Sequence, residues 1–287
     1  MIYQNGAEFR AARQKRVLLF GMSGLGKTTL ANLLRGDGGW FHYSVDYRIG
    51  TRYMGEFIAD NFKAQAMKVP LLRELLMTDS VYIASNITFD NLAPLSTYLG
   101  KPGDPAKGGV PFAEYQRRQS QHREAEIAAM LDSPRFIARA HDLYGYDNFL
   151  CDTSGSICEV VDAENPDDPV MKALSDNLLI VWIKGSAAHR DALVRRFDRA
   201  PKPMYYPPAF LTALWAEFTA GQDPAKVDPD AFLRFGYARL LDQRQPRYAA
   251  MANWGVSVTA EDVALVTDAA SFVTLIADAL DCSTTTV

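Results

Sequence analysis

Residues 21 to 30 read GMSGLGKTTL, in which Gly21, Gly26, Lys27 and Thr28 fall at the spacing G-x-x-x-x-G-K-[ST]. Residues of these types at this spacing can hold the phosphates of a nucleoside triphosphate. Glycines let the chain bend until consecutive backbone N–H groups point inward at phosphate oxygens. Lys27 supplies a compact positive charge for the β- and γ-phosphates, and the Thr28 hydroxyl is suited to Mg2+. The candidate cradle runs over Gly21, Ser23, Gly24, Leu25, Gly26, Lys27, Thr28 and Thr29.

Such a loop works only between a strand and a helix, and both are predicted. RVLLFGM (16–22) is a short apolar run ending at a glycine, as a buried strand does. LGKTTLANLLRG follows with Leu30, Leu33 and Leu34 on one helical face, and the N-terminal end of that helix adds positive potential. WFHYSV (40–45), NFLCD (148–152), LLIVWIKG (178–185) and WGVSV (254–258) read as further strands. In the last predicted helix Phe272, Leu275, Ile276, Ala279 and Leu280 keep the i, i+3, i+4, i+7, i+8 rule. Apolar strands alternating with helices imply a parallel sheet covered on both faces.

Two regions exceed this minimal plan. Residues 77–145 contain the loop GKPGDPAKGG (100–109) and a highly charged helix over 112–131. Its Arg117, Arg118 and Arg123 either form a solvated face or meet an anionic acceptor. Residues of about 200–240 open with PKPMYYPP, whose Tyr205 and Tyr206 either connect elements or stack on a ring. DPAK occurs in both regions, at 104–107 and 223–226, too short a match to be a repeat.

The net charge of −4 gives no general attraction to nucleic acid or anionic lipid, so an anion site must be local. The longest apolar runs, such as NLLIVWI at 177–183, are too short to span a membrane, and the N-terminus lacks a signal-type apolar core. A cytoplasmic protein is expected. Cys151, Cys158 and Cys282 form neither a disulfide framework nor a zinc pattern, and Cys151 reads as strand core. The four histidines show no metal-ligand spacing.

The reaction class follows partly by elimination. No N/T-K-x-D guanine-reading motif ends a strand, AKVD at 225–228 lying in a loop-like stretch, and no LSGGQ-like signature occurs. Motor-type ATPases place a glutamate after the strand-ending aspartate, whereas Asp152 is followed by Thr153. Asp46 closes the second strand eighteen residues after Thr28. At that place a carboxylate either caps a turn or accepts the proton of an attacking hydroxyl.

The order of these features resembles the shikimate kinase-like group of P-loop small-molecule kinases over roughly 16–75 and 146–280. FLCDTSGSICEVVD (149–162) resembles the group's glycine-rich strand end. LLIVWIKGSAAHRDALVRRFDRAPKP (178–203) resembles its strand and lid, and RQPRYAAMANWGVSV (244–258) its terminal segment. The resemblance implies that Asp46 holds or deprotonates the acceptor. It implies that Arg195 or Arg199 reaches from the lid to the transferring phosphate, and that Arg244, Gly155 and Arg73 contact the acceptor. Guanidinium groups closing over a loose phosphoryl transition state neutralise spreading charge and exclude water. Asp152 is expected to serve Mg2+ beside Thr28, in place of the family aspartate whose position Ser44 occupies. Gly50 replaces a family glutamate, and these departures argue against shikimate itself as acceptor.

The expected architecture is therefore an α/β P-loop NTPase three-layer sandwich with a five-stranded parallel sheet in the order 2-3-1-4-5. The chain reads as a single domain over 1–287, with an inserted helical and loop subdomain at 77–145 and a lid plus second insertion at 186–240. The expected activity is transfer of the γ-phosphate of ATP, with Mg2+, to a small metabolite, nucleoside or nucleotide. The rival is an ATPase or ATP-binding switch whose insertion at 77–145 docks a protein partner. Acidic charge and the lack of a basic, aromatic-studded strand pair argue against nucleic acid.

Overall fold

The computed structural model describes residues 1–284. Its strands are β1 (Arg16–Phe20), β2 (Trp40–Ser44), β3 (Asn148–Asp152), β4 (Leu179–Lys184) and β5 (Val256–Thr259). All neighbours pair in parallel, in the order β2-β3-β1-β4-β5, which is the α/β topology expected from the sequence. Successive strand residues face opposite sides of a sheet. Val17, Leu18, Leu19 and Phe20 are all fully buried, so helices cover both faces of β1. At the edge, β5 alternates instead: Val256 and Val258 are buried, Ser257 and Thr259 exposed.

The chain divides into two compact units. The first comprises Met1–Val45, Met130–Ala200 and the chain from Gly236 onward, and it contains the whole sheet. The second comprises Asp46–Ala129 and Pro201–Phe235. Among the described residues no helix is long and apolar enough to cross a membrane.

In the first unit the helix Lys27–Gly36 buries Leu30, Ala31 and Leu34. The closing helix Ala269–Thr284 buries Phe272, Ile276, Ala277 and Leu280, and Phe272 meets Trp40 of β2 edge to face at 5.3 Å. Cys151 is core within β3, where burial pushes its thiol well above the usual range. That matches its reading as strand core.

The second unit has an aromatic centre. Phe112 stacks on Trp215 with ring centroids 4.6 Å apart, and Trp215 meets Phe232 edge to face at 5.0 Å. The charged helix Phe112–Leu131 is not solvated all round. Tyr115, Gln119, His122 and Glu126, three or four residues apart, are all buried on one face. Gln119 uses both ends of its amide on the proline-rich segment: Nε2 donates to Met204 O at 3.1 Å, and Oε1 accepts from Tyr206 N at 2.9 Å. The Tyr115 hydroxyl also donates to Met204 O, at 3.1 Å. Tyr205 and Tyr206 are consequently buried, Tyr205 against His122, so they anchor the segment and are not free to stack on a ligand. Arg117 and Arg118 both bind Glu114, whose carboxyl they hold down at about 2 against the opposing effect of burial.

The two DPAK segments share a local cause. Each makes a single 3-10 turn, Pro105–Lys107 and Pro224–Lys226. Asp104 accepts from Ala106 N at 2.8 Å and Asp223 from Ala225 N at 3.0 Å, with proline at the first helical position. The match is a capped turn used twice.

Candidate active site

The phosphate loop joins β1 to the helix Lys27–Gly36, and its first glycine is required by space as well as by angle. Gly21 has φ +140°, and a Cβ there would stand 2.5 Å from Ile183 O of β4. The loop ends at Gly26, which caps the helix in the left-handed region with φ +92°. Lys27 is only 6% exposed, and its Nζ donates to Gly21 O and Met22 O, both at 2.9 Å. The ammonium group is thus held inside the loop that contains it.

Sheet register brings an acidic side chain to this place. Asp152, the last residue of β3, pairs with Leu19 of β1 and with Ser44 of β2. Its Oδ2 accepts from the Thr28 hydroxyl at 2.9 Å and lies 3.7 Å from His42 Nε2. A hydroxyl and a carboxylate in contact, both oxygen donors, suit a hard divalent cation such as Mg2+. The next residue, Thr153, is buried and gives its hydroxyl to Leu19 O at 2.9 Å, so that side chain is committed to the backbone.

Gly155 lies against the loop: a Cβ there would be 3.0 Å from Ser23 Oγ, 3.5 Å from Ser23 N and 3.6 Å from an Arg244 guanidinium nitrogen. Arg244, on the helix Pro229–Ala252, is 2% exposed, and its guanidinium donates to Glu159 Oε2 at 2.6 Å. Burial raises Glu159 while Arg244 pulls it down; for Arg244 burial acts downward and the Glu159 carboxylate more than offsets it. We take the pair as ionised, because a short, charge-assisted bond between two buried partners keeps both charges compensated. Tyr248 donates to Gly155 O from the same helix.

The helix Ala187–Arg199 is opened by a capping box between Ser186 and His189. It is tied to the helix Pro229–Ala252 by Arg190, which binds Asp242 through two bonds of 2.7 Å. Arg195 and Arg199 are exposed on it. The guanidinium beside the loop belongs to Arg196, whose nitrogens are 3.1 and 3.6 Å from where a Cβ on Gly24 would stand. Carrying lid arginines over by resemblance passed over this residue. The helical period could have found it, since Leu193 and Phe197 are the buried anchors and Arg196 lies three residues after one of them.

A cavity of about 390 Å3 adjoins the loop, lined by Gly24, Thr29 and Leu33, by His189, and by Val263 and Val266. Among the described residues its polar side chains are His189 and Thr29, and no carboxylate side chain lines it.

Lys27, Thr28, Asp152, Gly155 and Arg244 therefore meet in the first unit. Asp46 and Arg73 belong to the second. Asp46 is half-buried in a short helical turn, Val45–Arg48, two residues after β2 ends. Arg73 is exposed on the helix Pro70–Met77, with Nε donating to Met67 O at 2.8 Å. Gly50 sits where a Cβ would be 2.8 Å from Ile87 Cδ1, so a glutamate there would displace that isoleucine.

No family model matches this sequence, and no curated protein matches it. Among solved structures the chain is similar to a crystal structure of shikimate kinase from Bacteroides thetaiotaomicron, at 14% identity over 95% of this chain and 97% of that one, with a TM-score of 0.38. A likeness of that degree leaves the chemistry to be argued from the site itself.

Proposed function

We propose that the protein is an ATP- and Mg2+-dependent phosphotransferase acting on a hydroxyl or phosphate of a small metabolite, nucleoside or nucleotide. The observation that carries the reading is the 2.9 Å bond from Thr28 to Asp152, which sets a metal-competent oxygen pair at the start of the phosphate-loop helix. Mg2+, when bound, supplies neutralisation of charge on the β- and γ-phosphate oxygens. Lys27 and the loop N–H groups do the same for the remaining oxygens, from positions fixed before the nucleotide arrives. Arg196 adds a guanidinium at Gly24 in the role expected of Arg195 or Arg199. Asp46 takes the acceptor's proton and aims its oxygen.

Adenine is favoured because the cavity beside the loop has apolar walls at Leu33, Val263 and Val266 and no carboxylate to accept from guanine N–H groups. Transfer is favoured over hydrolysis because Thr153, where a water-orienting glutamate would stand, is bonded to Leu19 O. Arg244, held by Glu159, is read as a support beside Gly155, and residues 77–145 and 186–240 as insertion and lid.

The test is ADP release from ATP and Mg2+ against pooled sugars, polyols, hydroxy acids, nucleosides and nucleotides. One pool should raise the rate well above the acceptor-free level, and Lys27→Ala should abolish the rise. A rate that no pool changes would count against transfer.

A further inference from the structure

The second unit holds a strand-like stretch that belongs to no sheet. Over residues 81–88 the chain runs without turn or bend, and from Tyr82 onward its side chains alternate. Ile83 and Ser85 are half-buried and Ile87 is buried, whereas Tyr82, Ala84, Asn86 and Thr88 are exposed. That period of two belongs to a strand with one face on the protein and the other in water. Yet among the described residues the main chain of 81–87 makes no hydrogen bond, and the stretch lies outside the five-stranded sheet.

Both ends are fixed. The helix Pro70–Met77 gives way at Asp79, whose φ of +51° is in the left-handed region, and Ser80 N donates back to Leu75 O at 2.9 Å. At the far end Thr88 N donates to Asn91 O at 3.1 Å, and Asn91 N to Thr88 O at 3.2 Å. Ile87 anchors the stretch on its inner face, so close to Gly50 that a Cβ there would stand 2.8 Å from its Cδ1. A straight, anchored row of main-chain donors and acceptors at the surface is a template for a further strand.

The residues of the row say which strand. Edges are commonly guarded by charge, but residues 80–89 read SVYIASNITF and carry none, so a charged peptide finds no ionic partner on it. The nearest charges in sequence are Asp79 and Asp90. Antiparallel pairing with a second copy about a two-fold axis sets both inner faces on one side of the ribbon. Inward residues then oppose inward ones, odd numbers facing odd, and Asp79 never stands against Asp90 of the copy. Each residue that turns its N–H to the axis turns its C=O there too, so the copy satisfies both. We infer that residues 81–87 are a dimer edge, pairing antiparallel with the same stretch of a second copy of this chain. The inference concerns the second unit alone and does not depend on the nucleotide reading. Seven residues per copy make a small interface, so the association is weak and reversible.

The test is sedimentation equilibrium of the full chain over a concentration series without nucleotide, joined to amide hydrogen exchange on dilute and concentrated samples. The wild type should show a monomer–dimer equilibrium. Where half the chains are paired, the axis-facing amides of 81–87 should exchange about twofold more slowly than in dilute protein. Ala84→Lys brings two ammonium groups together near the axis and should weaken dimerisation by about fivefold. Ala84 is exposed, so this change does not threaten folding. Leu71→Lys, at a 64% exposed position on the helix Pro70–Met77, should dimerise as the wild type does. A protein that is monomeric at every concentration overturns the inference and leaves the edge to a different protein. It is overturned equally by a dimer whose 81–87 amides exchange at the dilute rate, or by one that Leu71→Lys breaks and Ala84→Lys does not. That last pattern would place the contact on the helix.

Discussion

The two units place their polar groups by different means. In the first, Lys27 and Thr28 lie within one turn of a glycine-bounded loop, and parallel register at Leu19, Ser44 and Asp152 delivers a carboxylate to them. In the second, Gln119, His122 and Glu126 are spread along a charged helix, and Met204, which Gln119 holds, lies 85 residues further along the chain. A contiguous motif at the end of a central strand carries its geometry with it. A dispersed set acquires geometry only when the tertiary structure closes, because each member is an ordinary surface residue type until its neighbours are known.

The difference can be broken most severely at the buried pair of the first unit. Arg244→Ala or Glu159→Ala leaves one buried charge uncompensated and should destabilise the protein by about 3–5 kcal/mol. Urea unfolding would show this as a lowered midpoint. If Arg244→Ala unfolds at the wild-type midpoint and only substrate affinity falls, Arg244 is an acceptor contact, as the resemblance implied, and not a support.

In the second unit the corresponding variant is Gln119→Ala, which leaves Tyr206 N without its amide partner and removes one of the two donors to Met204 O. An expected cost of about 1–3 kcal/mol follows from unsatisfied buried groups. Pulsed proteolysis should locate the loosening at Pro201–Pro208. An unaltered cleavage pattern would mean that the proline-rich segment is held by its tyrosine packing alone.

A finer comparison lies within one helix. Arg196→Ala should lower turnover by about tenfold, a value kept modest because the side chain is exposed and screened. Arg195→Ala and Arg199→Ala should each change it less than twofold. Steady-state rates of the three variants decide the matter, and equal losses would remove the distinction drawn from Gly24.

Much of the first unit was legible in the sequence because its signals are local. NFLCD is β3 from end to end, the strand order is the one the resemblance implied, and Thr28 and Asp152 meet at the ends of the loop and strand that carry them. Arg196 was passed over because three of the five residues at 195–199 are arginines, and one helical turn decides which of them faces the loop. The buried stripe of the helix Phe112–Leu131 was hidden for another reason. Hydrophobic periodicity is blind to a face of Gln, His and Glu, of which Gln119 and His122 meet the proline-rich segment and Glu126 faces His122 on the same helix.

The most direct test of phosphoryl transfer follows the phosphate itself. The protein, Mg2+ and ATP labelled on the γ-phosphate are incubated with the acceptor pools, and labelled products are separated. The account predicts label in an organic product, exceeding that in inorganic phosphate and absent with Lys27→Ala. Label confined to inorganic phosphate, at a rate no pool alters, would contradict it and leave an ATPase.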